Sequence, residues 1–423
     1  MHGNGRRSAR RRTLVELSNG LKFPVKSNNK LSLSASASLI ALYLLLNVCS
    51  AETHDVLCKA GNTRFEAYFH TGIDLIVGPV GKGGLATRSC EATLSGKEDV
   101  VVASDVAEID LDMFGVDLED NEPVAAFQIK KSQMQCCMTY QIYSLEDPPR
   151  LLRTISGGQF FSAADRDLVG RIEIWTDDAA AIDGLEGLRV SEIEFVPTYV
   201  LRFEHGRLLD VSSEFQDFAD QMIAKVREKI NPADLQRFKA SDGKLQKGTG
   251  MPPEASARLP RLRRVKIQVL EIVWAYLYSG REKEAWRALA DRWPNGDVER
   301  IRSEIIAARA RGMHAQLDGV SNGVVPTDEN PVMVYDSTDK PAKPIMVRYY
   351  PPSGATDAPL LKGKVRVNLV VDSAGKVRSV KVSGKQEASE YLKRSTDEWK
   401  FIPALVEGRP VASRVRMTLT LAQ

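Results

Sequence analysis

The order of apolar and polar positions divides the chain into stretches of different period. Between residues 52 and 212, short β-patterned runs recur: FEAYF at 65–69, IDLIV at 73–77, VAAFQI at 124–129, YQIY at 140–143, RIEIW at 171–175 and YVLRF at 199–203. Each is bounded by Gly, Pro or Asp-rich turns, which predicts an all-β unit. From 214 to 316 the period shifts to about 3.6. Phe215, Phe218, Met222 and Val226 fall on one helical face, and Leu262, Val265, Val269, Val273 and Leu277 on another. Asn231-Pro232 and the Gly/Pro-rich stretch 242–253 interrupt this pattern. Near the end, strict alternation returns. Val365, Val367, Leu369 and Val371 alternate with Lys364, Arg366 and Asn368, and residues 372–375 (DSAG) form a turn into a second strand. A helix is predicted over 387–398, stopped by Pro403. After a turn at Gly408, a last strand sets Val411, Val415, Met417, Leu419 and Leu421 against Arg414, Arg416, Thr418 and Thr420. The order is β-β-α-β.

The predicted architecture is multidomain α+β. It has a basic tail with an export segment (1–51), an acidic, β-rich, propeller-blade-like region (52–212), a small helical bundle (213–318), a Pro-containing linker (319–358) and the terminal β-β-α-β module (359–423). Charge supports the division. The net charge of +3 conceals +7 over 1–51, −14 over 52–212, +3 over 213–360 and +7 over 361–423. Residues 319–359 hold seven of the twenty prolines, the composition of an extended spacer that separates the last module from the others.

Eight Lys/Arg precede a short apolar run, 39–46, within the segment 31–48. This fits an export signal cleaved after Ala51, or an uncleaved anchor formed by 31–48. Either places the remainder outside the cytoplasm, in the periplasm. With Cys49 set aside, Cys58, Cys90, Cys136 and Cys137 allow two bridges with three connectivities, and Cys58–Cys90 is one candidate.

Two stretches in the acidic region resemble each other: 110–115 (DLDMFG) and 165–170 (DRDLVG). The second continues to Glu173 and resembles the calcium loop of FG-GAP-type β-propeller repeats. That resemblance implies Asp165, Asp167 and Glu173 as side-chain ligands for Ca2+, with the Arg171 carbonyl as a fourth. Position 5 of the loop is Val169, which lacks a carboxylate. The alternative is an acidic turn that bonds its own backbone. The stretch 276–294 (YLYSGREKEAWRALADRWP) resembles the helix-turn-helix of a tetratricopeptide unit, with Gly280 at the turn and Ala285 at the close approach. Trp274, Trp286 and Trp293 are expected in the bundle core. No catalytic constellation is present, so an enzyme is not expected. The run 78–84 (GPVGKGG) has the wrong spacing for a phosphate loop and reads as a turn. The basic last module lacks stacking aromatics on its polar face, which argues against nucleic acid.

The strongest motif set lies in the last module. Gly363, Val365 and Val367; Val371, Asp372, Gly375 and Val377; Ser383 and Gly384; Trp399, Phe401, Pro403 and Ala404; and Gly408, Pro410 and Val411 together resemble the TonB carboxy-terminal domain. The match covers about 65 residues. The resemblance implies capture of an outer-membrane transporter peptide as an added strand on the free edge of the last strand, at Ser413, Arg414, Val415, Arg416, Met417 and Thr418. It also implies support of transmembrane transport as an energy transducer, although 31–48 lacks the His expected of such an anchor. Alternatives are a homodimer formed through the same edge, a soluble periplasmic scaffold, and a calcium-assisted recognition protein.

Overall fold

All six β-patterned runs become strands: Phe65–Tyr68, Asp74–Pro79, Pro123–Lys130, Met138–Ser144, Glu173–Asp177 and Thr198–Glu204. The computed structural model describes residues 57–58, 65–68, 72–79, 90–118, 122–132, 136–245, 252–321, 334–336, 344–348, 363–383, 392–393 and 395–421. The export segment and most of 78–84 lie outside these residues.

The fold is mixed α+β, with several antiparallel sheets and no closed barrel among the described residues. One sheet is a four-stranded meander of Phe65–Tyr68, Asp74–Pro79, Cys90–Ser95 and Asp99–Val106. A second, five-stranded sheet sets Leu57–Cys58 parallel to Glu108–Asp117 and continues through Pro123–Lys130, Met138–Ser144 and Arg150–Gly158. The third runs Phe161–Ala164, Glu173–Asp177, Thr198–Glu204, Arg207–Asp210 and then takes Gly319–Val320 in parallel. The two Asp-containing stretches do not occupy equivalent places, contrary to a blade-like repeat. Residues 110–115 lie inside the strand Glu108–Asp117, whereas 165–170 form a turn between two strands. Glu108–Asp117 is buried on both faces. Its sequence nevertheless alternates, so Glu108, Asp110 and Asp112 are buried along with Ile109, Leu111 and Met113.

The 3.6-residue period gives helices Gln216–Lys229, Pro232–Lys239, Pro253–Tyr278, Glu282–Arg292 and Val298–Arg311. Asn231 begins the second of these because its side-chain oxygen accepts hydrogen bonds from the Ala233 and Asp234 amides, with Pro232 at the first helical position. Gly280 makes the interhelical turn at φ 78, and Ala285 is fully buried where Pro253–Tyr278 and Glu282–Arg292 meet. Trp274 and Trp293 are core residues, as expected, whereas Trp286 is only half-buried.

These helices do not form a separate bundle. One core runs from Met113, Tyr140, Phe161, Ile174 and Leu201 in the sheets to Trp274, Leu289 and Ile305 in the helices. Polar contacts close the same boundary. The Asp178 carboxylate accepts hydrogen bonds from the Tyr278 hydroxyl at 2.8 Å and the Met313 amide at 2.9 Å, and Glu271 accepts from the amides of Glu194 and Phe195. Cys90 is disulfide-bonded, while Cys136 and Cys137 are free thiols, so the adjacent pair carries no vicinal bridge.

The terminal module follows the β-β-α-β order. Gly363–Val371 and Val377–Ser383 form the hairpin, residues 392–393 and 395–396 are helical, and Ser413–Leu421 is the last strand. Between helix and last strand lie three further strands. Lys400–Ile402 pairs with Ile345–Arg348, and Ala404–Val406 pairs with Arg409–Val411 across a turn in which Glu407 and Gly408 both have positive φ. Val367, Leu369, Val371 and Leu419 face inward onto Leu392, Trp399 and Phe401. The described pieces of 319–358 are therefore not a plain spacer: Gly319–Val320, Tyr335–Asp336 and Ile345–Arg348 each pair with a strand. The last module is not held at a distance either. Ile402 joins the core of Ile73, Leu75, Phe127 and Tyr143, and Ala374 joins the largest core.

Candidate partner-binding edge and its anchorage

The last strand, Ser413–Leu421, is paired along its whole inner side with Gly363–Val371, from Val371 opposite Ser413 to Gly363 opposite Leu421. Its outer side is divided. Tyr335 and Asp336 lie parallel to Ser413 and Arg414, and the Tyr335 amide donates to the Ala412 carbonyl at 2.9 Å. The predicted free edge is thus corrected at its first two positions, where the chain's own backbone covers it. From Val415 through Thr418 no described strand lies on the outer side. There the side chains alternate, with Val415 and Met417 turned to the module core and Arg414, Arg416 and Thr418 exposed. Arg416 reaches Asp336 at 3.2 Å. A strand border with basic side chains and no described strand beside it is a surface onto which an extended, acidic segment can pair.

What anchors this sheet is a buried cluster of charge at the hairpin turn. Asp372 accepts hydrogen bonds from the amides of Ala374 at 3.0 Å and Lys376 at 2.8 Å, which closes the turn. Gly375 has φ 77, and its carbonyl accepts from the Phe401 amide at 3.0 Å. A Cβ there would stand 1.9 Å from the Phe401 carbonyl oxygen, so the position excludes any side chain on both counts. The turn carries Lys376 inward to Asp112, whose other oxygen accepts from the Tyr140 hydroxyl at 2.7 Å and the Ala163 amide at 2.8 Å. Lys400 adds a second ammonium 3.7 Å from Asp112. Burial raises the Asp112 pKa, but Lys376 and Lys400, with the hydrogen bonds from Lys376 and Tyr140, outweigh it and hold the carboxyl below its ordinary value.

Asp165 meets the same turn. Its carboxylate accepts from the Val169 and Gly170 amides, both at 3.0 Å, and from the Ser373 hydroxyl at 2.7 Å, while its own amide donates to Asp372 at 3.2 Å. Burial pushes Asp165 up and Asp372 up to about 7, opposed in Asp372 by the Lys376 amide and Arg378. The two Asp stretches that resemble each other in sequence thus share a task, since both receive the terminal hairpin.

The expected calcium loop is accounted for differently. Asp165 is buried and bonded as above, Asp167 is exposed with its side chain beside that of Asp165, and Glu173 is ion-paired to Arg202 at 2.9 Å. Arg202 also holds Glu214 at 2.9 Å. Burial raises Glu173 to about 7 even against Arg202. Asp165, Asp167 and Glu173 are therefore not assembled as a ligand set. Among the described residues, no group of three or more His, Cys, Asp or Glu is placed to hold a metal ion. Of the residues that organise the junction, Asp372 and Gly375 stood in a recognisable motif, whereas Lys376 and Lys400 occupied variable positions within motifs and carried no signal. Set against models of protein families, curated proteins and solved structures, the chain matches none of them.

Proposed function

We propose that this chain is a cell-envelope protein similar to the TonB family. It would bind a periplasm-facing peptide of an outer-membrane transporter by β-strand addition to Val415–Thr418, and so support transport. The observation that carries the reading is the outer side of the last strand. The chain's own Tyr335–Asp336 pairs with it at one end, so its backbone groups accept an extended segment, and the next four residues have no described strand beside them. Four ladder bonds at ~0.5–1.5 kcal/mol net each contribute ~2–6 kcal/mol, so micromolar binding at ~8 kcal/mol also requires side-chain contacts beyond the ladder, an acidic side chain on Arg414 or Arg416 among them. The test uses the full chain and peptides from the amino-terminal segments of outer-membrane transporters, followed by amide hydrogen exchange. Binding is expected to slow exchange within 415–418. Saturable binding with no protection there places the peptide elsewhere and sinks the reading.

A second reading is favoured by one particular feature, the buried Asp112–Lys376 junction. A module fastened to the acidic β-rich part suits a periplasmic scaffold better than the free end of a force-transmitting arm. The segment 31–48 decides between the two. Amino-terminal sequencing of the mature protein that begins at Glu52 favours the scaffold, and retention of 31–48 favours the anchored transducer.

A further inference from the structure

The helical layer contains a cavity that the strand edge does not use. Between helices Glu282–Arg292 and Val298–Arg311 lies a space of about 230 Å3, walled by Leu277, Trp286 and Ile306 and by Glu282, Arg309 and His314. Two apolar side chains there sit off the core-facing line of their helices. The first helix buries Ala285, Ala288 and Leu289 and the second buries Ile301, Ile305 and Ala308. Trp286 is left half-buried and Ile306 is 48% exposed. The Trp286 indole N–H donates to Glu282 at 2.9 Å and the Arg302 guanidinium lies 4.9 Å from its ring centroid, so the ring is held in place as one wall.

Arg309 supplies the charge. Its Nε donates to the Tyr199 hydroxyl at 3.3 Å, and its guanidinium lies 5.4 Å from the Tyr278 ring centroid. These contacts fix the fork and leave both terminal amino groups without a hydrogen-bond partner or an ion-paired carboxylate among the described residues. The nearby acids act on Arg309 through space but hydrogen-bond to other groups, Asp178 to Tyr278 and Met313 and Asp210 to the Ser212 amide. A planar guanidinium with two free donors matches a carboxylate. Glu282 on the facing wall disfavours a doubly charged anion. The volume falls just short of the ~300–1,000 Å3 of sites for drug-sized ligands, which limits the occupant to a small molecule.

We infer that this cavity binds a small monocarboxylate with an aromatic or branched apolar body, the carboxylate on the Arg309 amino groups and the body between Trp286 and Ile306. The site is independent of peptide binding at the last strand. The test uses the full chain and phenylacetate as probe, with phenylacetamide and acetate as controls, read by saturation-transfer NMR and isothermal titration. Phenylacetate is expected to saturate near or below about 1 mM, with each control at least ~10-fold weaker because it lacks either the charge or the body. Arg309→Gln is expected to weaken phenylacetate at least ~10-fold. Because Arg309 also supports Tyr199 and Tyr278, Ile306→Trp serves as the second variant. It fills the cavity from an exposed position and is expected to abolish binding with Tm unchanged. The inference is overturned if phenylacetate does not saturate, if either control binds as tightly, or if Ile306→Trp in a folded chain binds as the parent does.

Discussion

Replacing Lys376 with Met tests whether the terminal module is fastened through buried charge. The Lys376 side chain is 10% exposed and that of Asp112 1%, so Met leaves a carboxylate in the interior without its closest cation. Removal of one member of a buried pair typically costs ~3–5 kcal/mol. Lys400 remains 3.7 Å away, and the Tyr140 and Ala163 donors persist, so a loss near the lower bound, ~3 kcal/mol, is expected. The control is Lys381→Met, on an exposed position of the same hairpin, with an expected change within ~0.5 kcal/mol. Urea unfolding of the full chain, followed by tryptophan fluorescence, measures both. The double variant Asp112→Leu/Lys376→Met is expected to recover part of the loss, because the buried carboxylate left without Lys376 is gone, while Lys400, the Tyr140 hydroxyl and the Ala163 amide lose Asp112 as a partner and keep the recovery partial. Equal costs for Lys376→Met and Lys381→Met, or a double variant that loses the sum of the single losses, would refute the anchorage.

A second expectation concerns pH. Asp372 titrates at about 7 when folded against an ordinary 3.8, so between these values the folded state holds a proton that the unfolded chain has released. The stability this proton contributes is complete below 3.8 and is lost as pH rises through about 7. Asp372→Asn is expected to flatten the fall of Tm between about pH 5 and pH 7, where a single such proton changes stability by about 1.4 kcal/mol for each step of one in pH. Glu173, held at about 7, and Asp177, at about 6, have the same sign and leave a residual slope. An unchanged profile in Asp372→Asn would refute this. Tyr335→Pro removes the amide that donates to Ala412 and releases the chain's own segment from the strand edge. If that segment competes with a peptide, anisotropy will show affinity rising roughly 3- to 10-fold for ~1 kcal/mol of lost pairing; unchanged or weaker binding counts against competition. Arg202→Met strands Glu173 and Glu214 and is expected to cost ~3–5 kcal/mol in urea unfolding, with a loss under ~1 kcal/mol contradicting the buried triad. Because Asp165 and Glu173 already have partners, millimolar calcium is expected to leave Tm unchanged in differential scanning fluorimetry, and a rise would restore the loop as a site.

Local signals were legible in the sequence and long-range ones were not. Alternation gave the terminal hairpin and last strand because one face of that sheet is buried on Trp399 and Phe401 and the other is wet. Gly280, Gly375 and Gly408 were readable as turns because positive φ selects glycine locally. The strand Glu108–Asp117 was harder to see, since its alternating acids Asp110 and Asp112, which are buried as well, look like a loop motif. The partners of Asp112 lie 264 residues onward at Lys376 and further still at Lys400, and no period or spacing encodes such a meeting.

The same distance explains why charge and proline content misled about architecture. Composition separates an acidic segment from a basic terminal one, which reads as two modules joined by a spacer. Opposite charge is also what complementary surfaces need, and here part of it is spent inside the protein, with Asp112 taking Lys376 and Lys400. A proline-rich stretch need not stay extended in solvent when short runs within it find strand edges. Ile345–Arg348 on Lys400–Ile402 and Tyr335–Asp336 on Ser413–Arg414 do so, and each shortens the open border left on the terminal sheets. Positions 415–418, on whose outer side no described strand lies, therefore matter in proportion to how much of the neighbouring border the chain has closed with its own backbone. A partner strand would have to align with a segment already in place or displace it, and release of Tyr335–Asp336 distinguishes these two cases.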